Sequence, residues 1–310
     1  MNNFLSGRSR SLRLLLLPIA LIVSLLGGLA VAGPASAAEG DFTPEQRQQY
    51  FESGKYTQDL DYVAAYGRKF IIQRTQPTIK IVRACKAKGF EIGKPDPGPD
   101  PAADYTVPVP VPEARMPDKI VKAPKPGPGP KTNPALPTFR YPKAFKAKRI
   151  TKQRCGNLPK LAIAMDMDET AASSYLYGSD APDYDASEAE HLLAGNQTAI
   201  PQMLSLYKLA KKRGLAAFII TARPDITDLR TTTEANLDLI GYKALAGVYM
   251  RPVLPVGNDK GTVKNSQRAE ITKRRGYKII AMFGDQNSDL RTGFYERGFK
   301  YQSAVTPVQD

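Results

Sequence analysis

The sequence predicts an α/β protein, a three-layer α/β/α sandwich around a mainly parallel sheet. Along the second half of the chain, short apolar runs alternate with helical patterns that end at glycine. Strands separated by helices form βαβ units, which build parallel sheets with right-handed crossovers. A polar helical stretch and a Pro-rich stretch come before this half. The sandwich is therefore expected to occupy residues 149–310.

The order of elements in this half is typical of a Rossmann-like sheet. The predicted strands are 161–165, 215–220, 246–250, 277–283 and an edge strand at 299–304. The predicted helices are 198–213, 225–240, 262–275 and 288–297, and a glycine follows each of them. Glycine commonly ends helices because it adopts the left-handed conformation without strain.

The N-terminus has the three parts of a secretory signal peptide. Three arginines between positions 8 and 13 precede an uncharged run at 14–31, and the small residues 35–37 follow. This pattern predicts that residues 1–37 are cleaved and that the protein is secreted or associated with the cell envelope. A retained membrane anchor is the alternative, because the apolar run is about long enough to span a bilayer.

Two segments of different composition lie between the signal peptide and the sandwich. Residues 38–94 predict a helical accessory segment. Its helices are expected to begin at Pro44 and to cover 57–73 and 79–88. Residues 95–148 predict a Pro-rich linker or surface strap, since 15 of the chain's 26 prolines fall between 95 and 142. Proline neither donates to a sheet ladder nor continues a helix, so this segment is expected to be extended.

The chain has two cysteines, one on each side of the Pro-rich segment. In an exported protein, two cysteines most simply form one disulfide, so a bridge between Cys85 and Cys155 is expected. It would hold the ends of the Pro-rich segment together and stabilise the fold by about 4 kcal/mol in the chain-entropy model. Two free buried thiols are the alternative.

The chain is basic, with 44 Lys and Arg against 30 Asp and Glu and a net charge of +14. Loss of residues 1–37 removes three basic residues, which leaves 41 − 30 = +11. Such a surplus favours anionic substrates or electrostatic association with an anionic cell envelope. Zinc-finger spacing and an aromatic-rich RNA motif are both missing from the sequence, so duplex nucleic acid is not an expected partner. The sequence does not indicate an oligomeric state.

Two carboxylates follow the first predicted strand, one residue apart. Side chains of a strand alternate between faces, so Asp166 and Asp168 are expected to project together from its carboxyl end. Open α/β sheets bind their ligands at this edge. Adjacent carboxylates repel, and a cation between them keeps such a pair together most easily. A polar turn after a core strand is the alternative.

The other strand ends carry further polar residues. Thr221 and Arg223 follow the second strand, Lys264 lies in the helix after the third, and Asp285 and Asp289 follow the fourth. Parallel strand ends share one edge, so these groups are expected to meet there. Carboxylates, a hydroxyl and two cations suit Mg²⁺ together with a phosphate. For Lys264 a solvated basic helix face is the alternative, and the hydroxyl could merely end a strand.

These motifs resemble those of a known superfamily. The run Asp166-Met167-Asp168-Glu169-Thr170, Thr221 within Ile-Ile-Thr-Ala-Arg, Lys264, and the run Gly284-Asp285-Gln286-Asn287-Ser288-Asp289 occur in the chain in that order. They are similar to the four motifs of the haloacid dehalogenase-like phosphohydrolases. Within that superfamily they resemble the secreted acid phosphatase branch, which includes class B and class C acid phosphatases and plant vegetative storage proteins. The resemblance covers about residues 155–304.

The resemblance implies a role for each residue of the reaction. Asp166 matches the nucleophile that forms an aspartyl-phosphate, and Asp168 matches the general acid and base. Thr221 matches the hydroxyl that binds the transferred phosphoryl group. Lys264 matches the cation that holds the nucleophile and offsets transition-state charge. Arg223 would also bind phosphate, with a surface ion pair as an equally weighted alternative.

The resemblance also implies a magnesium site. Asp166, Asp285 and the backbone carbonyl of Asp168 would hold the ion, and Asp289 would support its water shell or orient Lys264. The implied protein is a secreted hydrolase, a magnesium-dependent acid phosphatase that acts on small phosphate monoesters. A non-catalytic envelope- or phosphate-binding protein on the same scaffold and a phosphotransferase to alcohol acceptors are the alternatives.

Residues 171–199 predict a loop over the site that is too short for a large cap domain. It contains Tyr175, Tyr177 and Tyr184, which either stack on an aromatic leaving group or simply pack. His191 is the chain's one histidine. A single histidine cannot form a His-based metal site, so it is expected to be structural or near the rim.

Overall fold

The computed structural model describes residues 44–93, 120–122, 150–174, 192–253, 259–291, 293–301 and 303. The predicted signal peptide, most of the Pro-rich segment, the three loop tyrosines and the histidine lie outside these residues. Within the described ranges, none of the helices combines the length and the apolar character needed to traverse a bilayer.

The sandwich contains a six-stranded sheet and a small two-stranded one. The strands of the large sheet are β1 (Ile120–Lys122), β2 (Lys160–Met165), β5 (Ala216–Pro224), β6 (Gly247–Arg251), β7 (Tyr277–Gly284) and β8 (Tyr295–Lys300). Their spatial order is β1-β8-β7-β2-β5-β6, and every neighbouring pair is parallel. The small antiparallel sheet pairs β3 (Ala172–Ser173) with β4 (Thr198–Ala199). The predicted parallel sheet is confirmed.

Helices cover both faces of the large sheet. They are α1 (Pro44–Glu52), α2 (Lys55–Ala87), α3 (Lys152–Gly156), α4 (Pro201–Lys212), α5 (Thr227–Leu239), α6 (Lys260–Ala269) and α7 (Asn287–Leu290). A π-helical turn, Glu270–Arg274, continues α6. Side chains of β2 alternate between the two faces, with Ile163 packed in the core beneath α2 and α4 and Ala164 in the core on the opposite side. This gives the predicted three layers.

The N-terminal helical segment is one of the layers of the sandwich. Tyr66 and Phe70 of α2 pack against the Phe299 ring, with centroid distances of 6.0 and 5.7 Å. A Cβ atom at Gly67 would lie 2.7 Å from the Phe283 ring, so α2 approaches the sheet as closely as only glycine allows at this point. Residues 44–93 therefore contribute directly to the main hydrophobic core.

The expected disulfide is present between Cys85 and Cys155, whose Cα atoms are 5.9 Å apart. Both residues are buried. The bridge joins the end of α2 to α3, which lies just before β2 in the chain. It therefore connects the N-terminal layer to the start of the strand that carries Asp166.

Two predicted helices at 57–73 and 79–88 are a single helix, so their separation was wrong. Helix α2 runs for 33 residues through Pro77. A proline inside a helix removes one hydrogen bond and costs about 3 kcal/mol. Arg213, which directly follows α4, donates to the backbone oxygen of Ile72 at 3.0 Å and also to the Thr75 hydroxyl. Contacts with the end of α4 thus hold α2 together across the proline.

The C-terminal elements also differ from the prediction. The helix expected at 288–297 is only the single turn of α7, and β8 starts at Tyr295 rather than at 299. Strand β8 pairs with β7, with Tyr295 opposite Ile279, and with β1 on its other side. Sheet pairing therefore overrides local helix propensity. The Pro-rich segment supplies β1, which lies at the edge of the sheet, where proline-containing segments are tolerated.

Candidate active site

Three neighbouring strands bring the site together. Strand β2 lies between β7 and β5, and all three end at the same edge of the sheet. Asp166 directly follows β2, and its backbone N–H donates to the Phe283 oxygen of β7 at 3.0 Å. This hydrogen bond extends the strand pairing by one residue. Strand pairing therefore fixes the backbone of Asp166 independently of its side-chain contacts.

Asp166, Asp285 and Asp289 form a cluster that we call the carboxylate triad. Each offers an oxygen that lies within 4.8 Å of the other two, and all three residues are buried. Gly284 makes this close approach feasible, because a Cβ atom there would overlap the Asp289 carboxylate. The backbone N–H of Gln286 donates to Asp289 Oδ2 at 2.9 Å and fixes that side chain.

Lys264 of α6 is buried against the triad. Its Nζ lies 2.7 Å from Asp166 Oδ1 and 2.5 Å from Asp289 Oδ1. Burial alone would lower the pKa of Lys264, but the two carboxylates outweigh burial and raise it. The ammonium therefore stays charged, and it is not on a solvated helix face.

The triad carries more negative charge than Lys264 balances. Burial, followed by repulsion from Asp289, raises the pKa of Asp166 well above its usual range. The same two causes raise the pKa of Asp285 to about 8. One lysine can offset one of three carboxylates, so ionising all three requires further positive charge. Oxygen ligands with this excess of charge can hold a divalent metal ion.

Asp168 has a different environment, because its side chain points to residues of β5. Arg223 Nη2 lies 2.7 Å from Asp168 Oδ1, and Arg223 Nε lies 3.0 Å from Oδ2. Gln197 Nε2 donates to Oδ1 at 3.0 Å, and the Thr221 hydroxyl lies 3.4 Å from Oδ2. Burial would raise the pKa of Asp168, but Arg223 and Gln197 together lower it. The Asp168 side chain is not part of the triad, so metal binding through its carbonyl stays a prediction.

Arg223 forms a buried ion pair. Its side chain is 2 % exposed and pairs with Asp168. Its Nη1 donates to the Thr233 hydroxyl at 2.9 Å, and its backbone N–H donates to Thr221 Oγ1 at 3.2 Å. The ion pair considered from the sequence is present, but it is inside the protein rather than on the surface. Phosphate binding by Arg223 stays a prediction.

The turn after Asp168 links the site to the end of β3. Glu169 has a left-handed backbone (φ 53°), and its carboxylate accepts from the backbone N–H of Ser174 at 2.7 Å. Burial raises the pKa of Glu169 to about 8. Thr170 donates to Asp285 Oδ1 at 3.3 Å, and the Tyr301 hydroxyl donates to the Glu169 carbonyl. This turn therefore connects Asp168 to Asp285 of the carboxylate triad.

Sequence reasoning missed three buried residues of the site. Gln197 and Thr233 both contact Arg223, and nothing in a single sequence distinguishes them from other polar residues. Arg268 donates to the Asp289 carbonyl at 2.7 Å, and burial lowers its pKa to about 10. Lys264 and Arg268 are four residues apart, so helical periodicity could have placed them on one face.

Fold and site together define a class of protein: a parallel α/β sheet whose strand ends gather carboxylates, a hydroxyl and a buried lysine. This chain belongs to the haloacid dehalogenase superfamily, subfamily IIIB (acid phosphatase), whose family model matches residues 143–305. The match spans more than half of the chain. The resemblance inferred from the sequence motifs is confirmed.

Two curated relatives come from Glycine max. The stem 28 kDa glycoprotein is 30% identical over 118 residues, which cover 37% of this chain and 45% of that protein. The stem 31 kDa glycoprotein is 30% identical over 115 residues, which cover 36% of this chain and 38% of that protein. The matched part thus spans less than half the length of each relative.

Among solved structures, the class C acid phosphatase from Bacillus anthracis is similar in two forms. With tungstate bound, it is 21% identical, covers 44% of this chain and 56% of its own, and has a TM-score of 0.35. A second structure of that phosphatase is 19% identical, covers 50% of this chain and 71% of its own, and has a TM-score of 0.38.

Proposed function

We propose that this chain is a secreted, magnesium-dependent acid phosphatase that hydrolyses small phosphate monoesters through an aspartyl-phosphate on Asp166. The observation that carries the proposal is the arrangement around β2. A buried carboxylate triad with Lys264 lies on one side, and a separate, charge-paired Asp168 lies on the other. Family membership supports the same chemistry.

In the first step, a carboxylate oxygen of Asp166 attacks phosphorus and the ester P–O bond breaks. Lys264 already holds Asp166 through Oδ1, so the nucleophile is oriented before substrate arrives. Asp168, once protonated, gives its proton to the leaving alkoxide oxygen. The Thr221 hydroxyl, at the end of β5, would bind an oxygen of the phosphoryl group as it transfers.

In the second step, water attacks the phosphorus of the aspartyl-phosphate, and Asp168 accepts the proton that the water loses. Phosphate leaves and the Asp166 carboxylate is restored. Magnesium, held by Asp166 and Asp285 with support from Asp289, would neutralise charge on the phosphoryl oxygens. The side chains themselves supply the nucleophile, the proton carrier and the fixed cation.

The test is a substrate panel with the purified protein. Aryl phosphates, nucleotides and sugar phosphates would be incubated with Mg²⁺, with EDTA, and with EDTA followed by excess Mg²⁺. We expect phosphate release that EDTA abolishes and magnesium restores. Full activity in EDTA would contradict the metal assignment.

The same panel separates the two alternatives. A protein that binds inorganic phosphate but releases none from any ester would be the non-catalytic binder. Added glycerol would reveal a phosphotransferase, because glycerol phosphate would form in place of part of the free phosphate.

A further inference from the structure

Gln197 connects three parts of the site through its side-chain amide. Its Nε2 donates to Asp168 Oδ1 at 3.0 Å and to Ser174 Oγ at 2.7 Å, while its Oε1 accepts from Arg223 Nη2. Its backbone carbonyl accepts from Asn236 Nδ2 at 3.1 Å. Both N–H groups and the oxygen of the amide are therefore engaged. The amide has one consistent orientation, with nitrogen facing a carboxylate and oxygen facing a guanidinium.

Gln197 and Ser174 lie next to the two small strands. Ser174 directly follows β3, and Gln197 directly precedes β4, its antiparallel partner. The bond between the two side chains therefore joins the end of β3 to the start of β4. Gln197 is 2% exposed, so this bond is buried. The same amide also donates to Asp168.

The two oxygens of Asp168 are held unequally. Oδ1 accepts from Gln197 and has the shorter contact with Arg223 Nη2, at 2.7 Å. Oδ2 has only the Arg223 Nε contact at 3.0 Å and the Thr221 hydroxyl at 3.4 Å among the bonds described above. The Asp168 side chain is 30% exposed although its partners are buried. A proton carrier requires one oxygen that faces the reactant and a geometry that stays fixed.

We propose that Gln197 is a positioning residue for Asp168. By holding Oδ1, it fixes the rotation of the carboxylate and leaves Oδ2 as the oxygen that exchanges a proton with the leaving group. Arg223 contacts both oxygens of Asp168, and Gln197 adds a further donor to Oδ1 alone. This inference rests on the proposed function, since it matters only if Asp168 protonates a leaving group.

The test compares two esters in a Gln197→Met variant, which keeps the side-chain length and removes the amide. The leaving group of 4-nitrophenyl phosphate departs without a proton, whereas the alkoxide of glycerol phosphate requires one. We compare kcat/KM, which covers only the steps up to departure of the leaving group and excludes hydrolysis of the aspartyl-phosphate. It should fall about ten- to a hundredfold for glycerol phosphate, part of the contribution of a positioned acid. For the nitrophenyl ester, kcat/KM should fall less than about threefold, since the proton matters little there.

Gln202→Met is the matched control. Gln202 is an outer residue of α4 that donates to Asp61 at 2.9 Å, and neither ester should be affected by its loss. Gln197→Glu provides a second variant if Gln197→Met does not fold. It is isosteric and keeps an acceptor for Arg223, but it replaces the N–H donor to Asp168 Oδ1 with an oxygen, so the same selective loss of kcat/KM on glycerol phosphate is expected.

The outcomes distinguish failure of the positioning role of Gln197 from failure of the proposed phosphatase function. Equal losses of kcat/KM on both esters in a folded variant, or no loss on either, would overturn the positioning role. A wild-type protein that hydrolyses neither ester would overturn the proposed function instead. A selective loss on glycerol phosphate, absent in Gln202→Met, supports the role of Gln197.

Discussion

Asp166 and Asp168 are two residues apart and leave the same strand end, yet their environments are opposite. Asp166 faces two other carboxylates and one lysine, and burial with repulsion raises its pKa. Asp168 faces an arginine, an amide and a hydroxyl; burial works against ionisation there too, but Arg223 lowers its pKa. One carboxylate lies in a site with excess negative charge, and the other lies in a charge-balanced site.

The difference comes from the neighbours of β2. Strand β7 lies on one side and delivers Asp285 and Asp289, while β5 lies on the other and delivers Thr221 and Arg223. A central strand with acidic residues on one flank and a basic residue on the other can separate two functions. The acidic flank suits a metal ion and the proposed nucleophile, and the basic flank fixes the geometry of the proposed proton carrier.

The largest expected effect is on activity. Asp166→Asn should lower kcat by about a thousandfold or more, because removal of a nucleophile eliminates the covalent route. The measurement is phosphate release from an aryl phosphate, with the fold checked by circular dichroism. Asp61→Asn is the matched control, since this exposed residue accepts a bond from Gln202 of α4 and is not part of the site. Near-normal turnover in Asp166→Asn would place the nucleophile elsewhere.

A smaller effect is expected on stability, and its sign should differ between substitutions of Asp166 and Asp168. In EDTA at neutral pH, Asp166→Asn should raise the free energy of unfolding by about 1 kcal/mol, because a raised pKa means that the folded state disfavours the charged form. Asp168→Asn should lower it by about 1–3 kcal/mol, because the arginine loses an ionised partner. Urea unfolding of the two variants and the wild type provides the measurement.

The pH and metal dependence of these differences follow from the same shifts. The contribution of Asp168 should be complete above its ordinary pKa of 3.8 and disappear as pH falls through its lower folded pKa. Saturating Mg²⁺ should stabilise the wild type by about 3 kcal/mol at a hundred times its Kd, and Asp166→Asn by much less. If both variants are destabilised equally in EDTA, the two carboxylates do not differ as described.

The smallest expected effect provides a reference outside the site. Glu296 of β8 accepts from Arg74 Nε at 2.6 Å and from Lys278 Nζ at 2.9 Å. Burial opposes ionisation, but these two cations lower the pKa of Glu296. Glu296→Gln should reduce the free energy of unfolding by about 1 kcal/mol at pH 7.

This loss should shrink as pH falls, because the carboxylate contributes fully above its ordinary pKa of 4.5 and loses its contribution through the lower folded value. Glu234→Gln is the matched control, since that residue forms an i,i+4 pair and is 50% exposed. It should change stability by less than about 0.5 kcal/mol. Equal effects of the two substitutions would remove the distinction between a partly buried ion-pair cluster and a surface pair.

Local patterns predicted different parts of the molecule with unequal success. The apolar runs that became β2, β5, β6 and β7 were predicted within a few residues, because a buried strand has a clear composition. The prediction was wrong at Pro77 and at the C-terminal strand. Contacts with the end of α4 hold α2 together across the proline, and pairing with β7 fixes β8. Neither contact is visible within a short window of sequence.

The sequence by itself determined the strand-and-helix order, the disulfide partners and the set of polar residues at the strand ends, because these follow from composition and spacing. Only the tertiary structure decided how the polar groups pair. It assigned Lys264 to the triad, Arg223 to Asp168, and Gln197 to both members of that pair. Such pairing depends on which strands lie side by side, and strand order arises from contacts between residues distant in the chain.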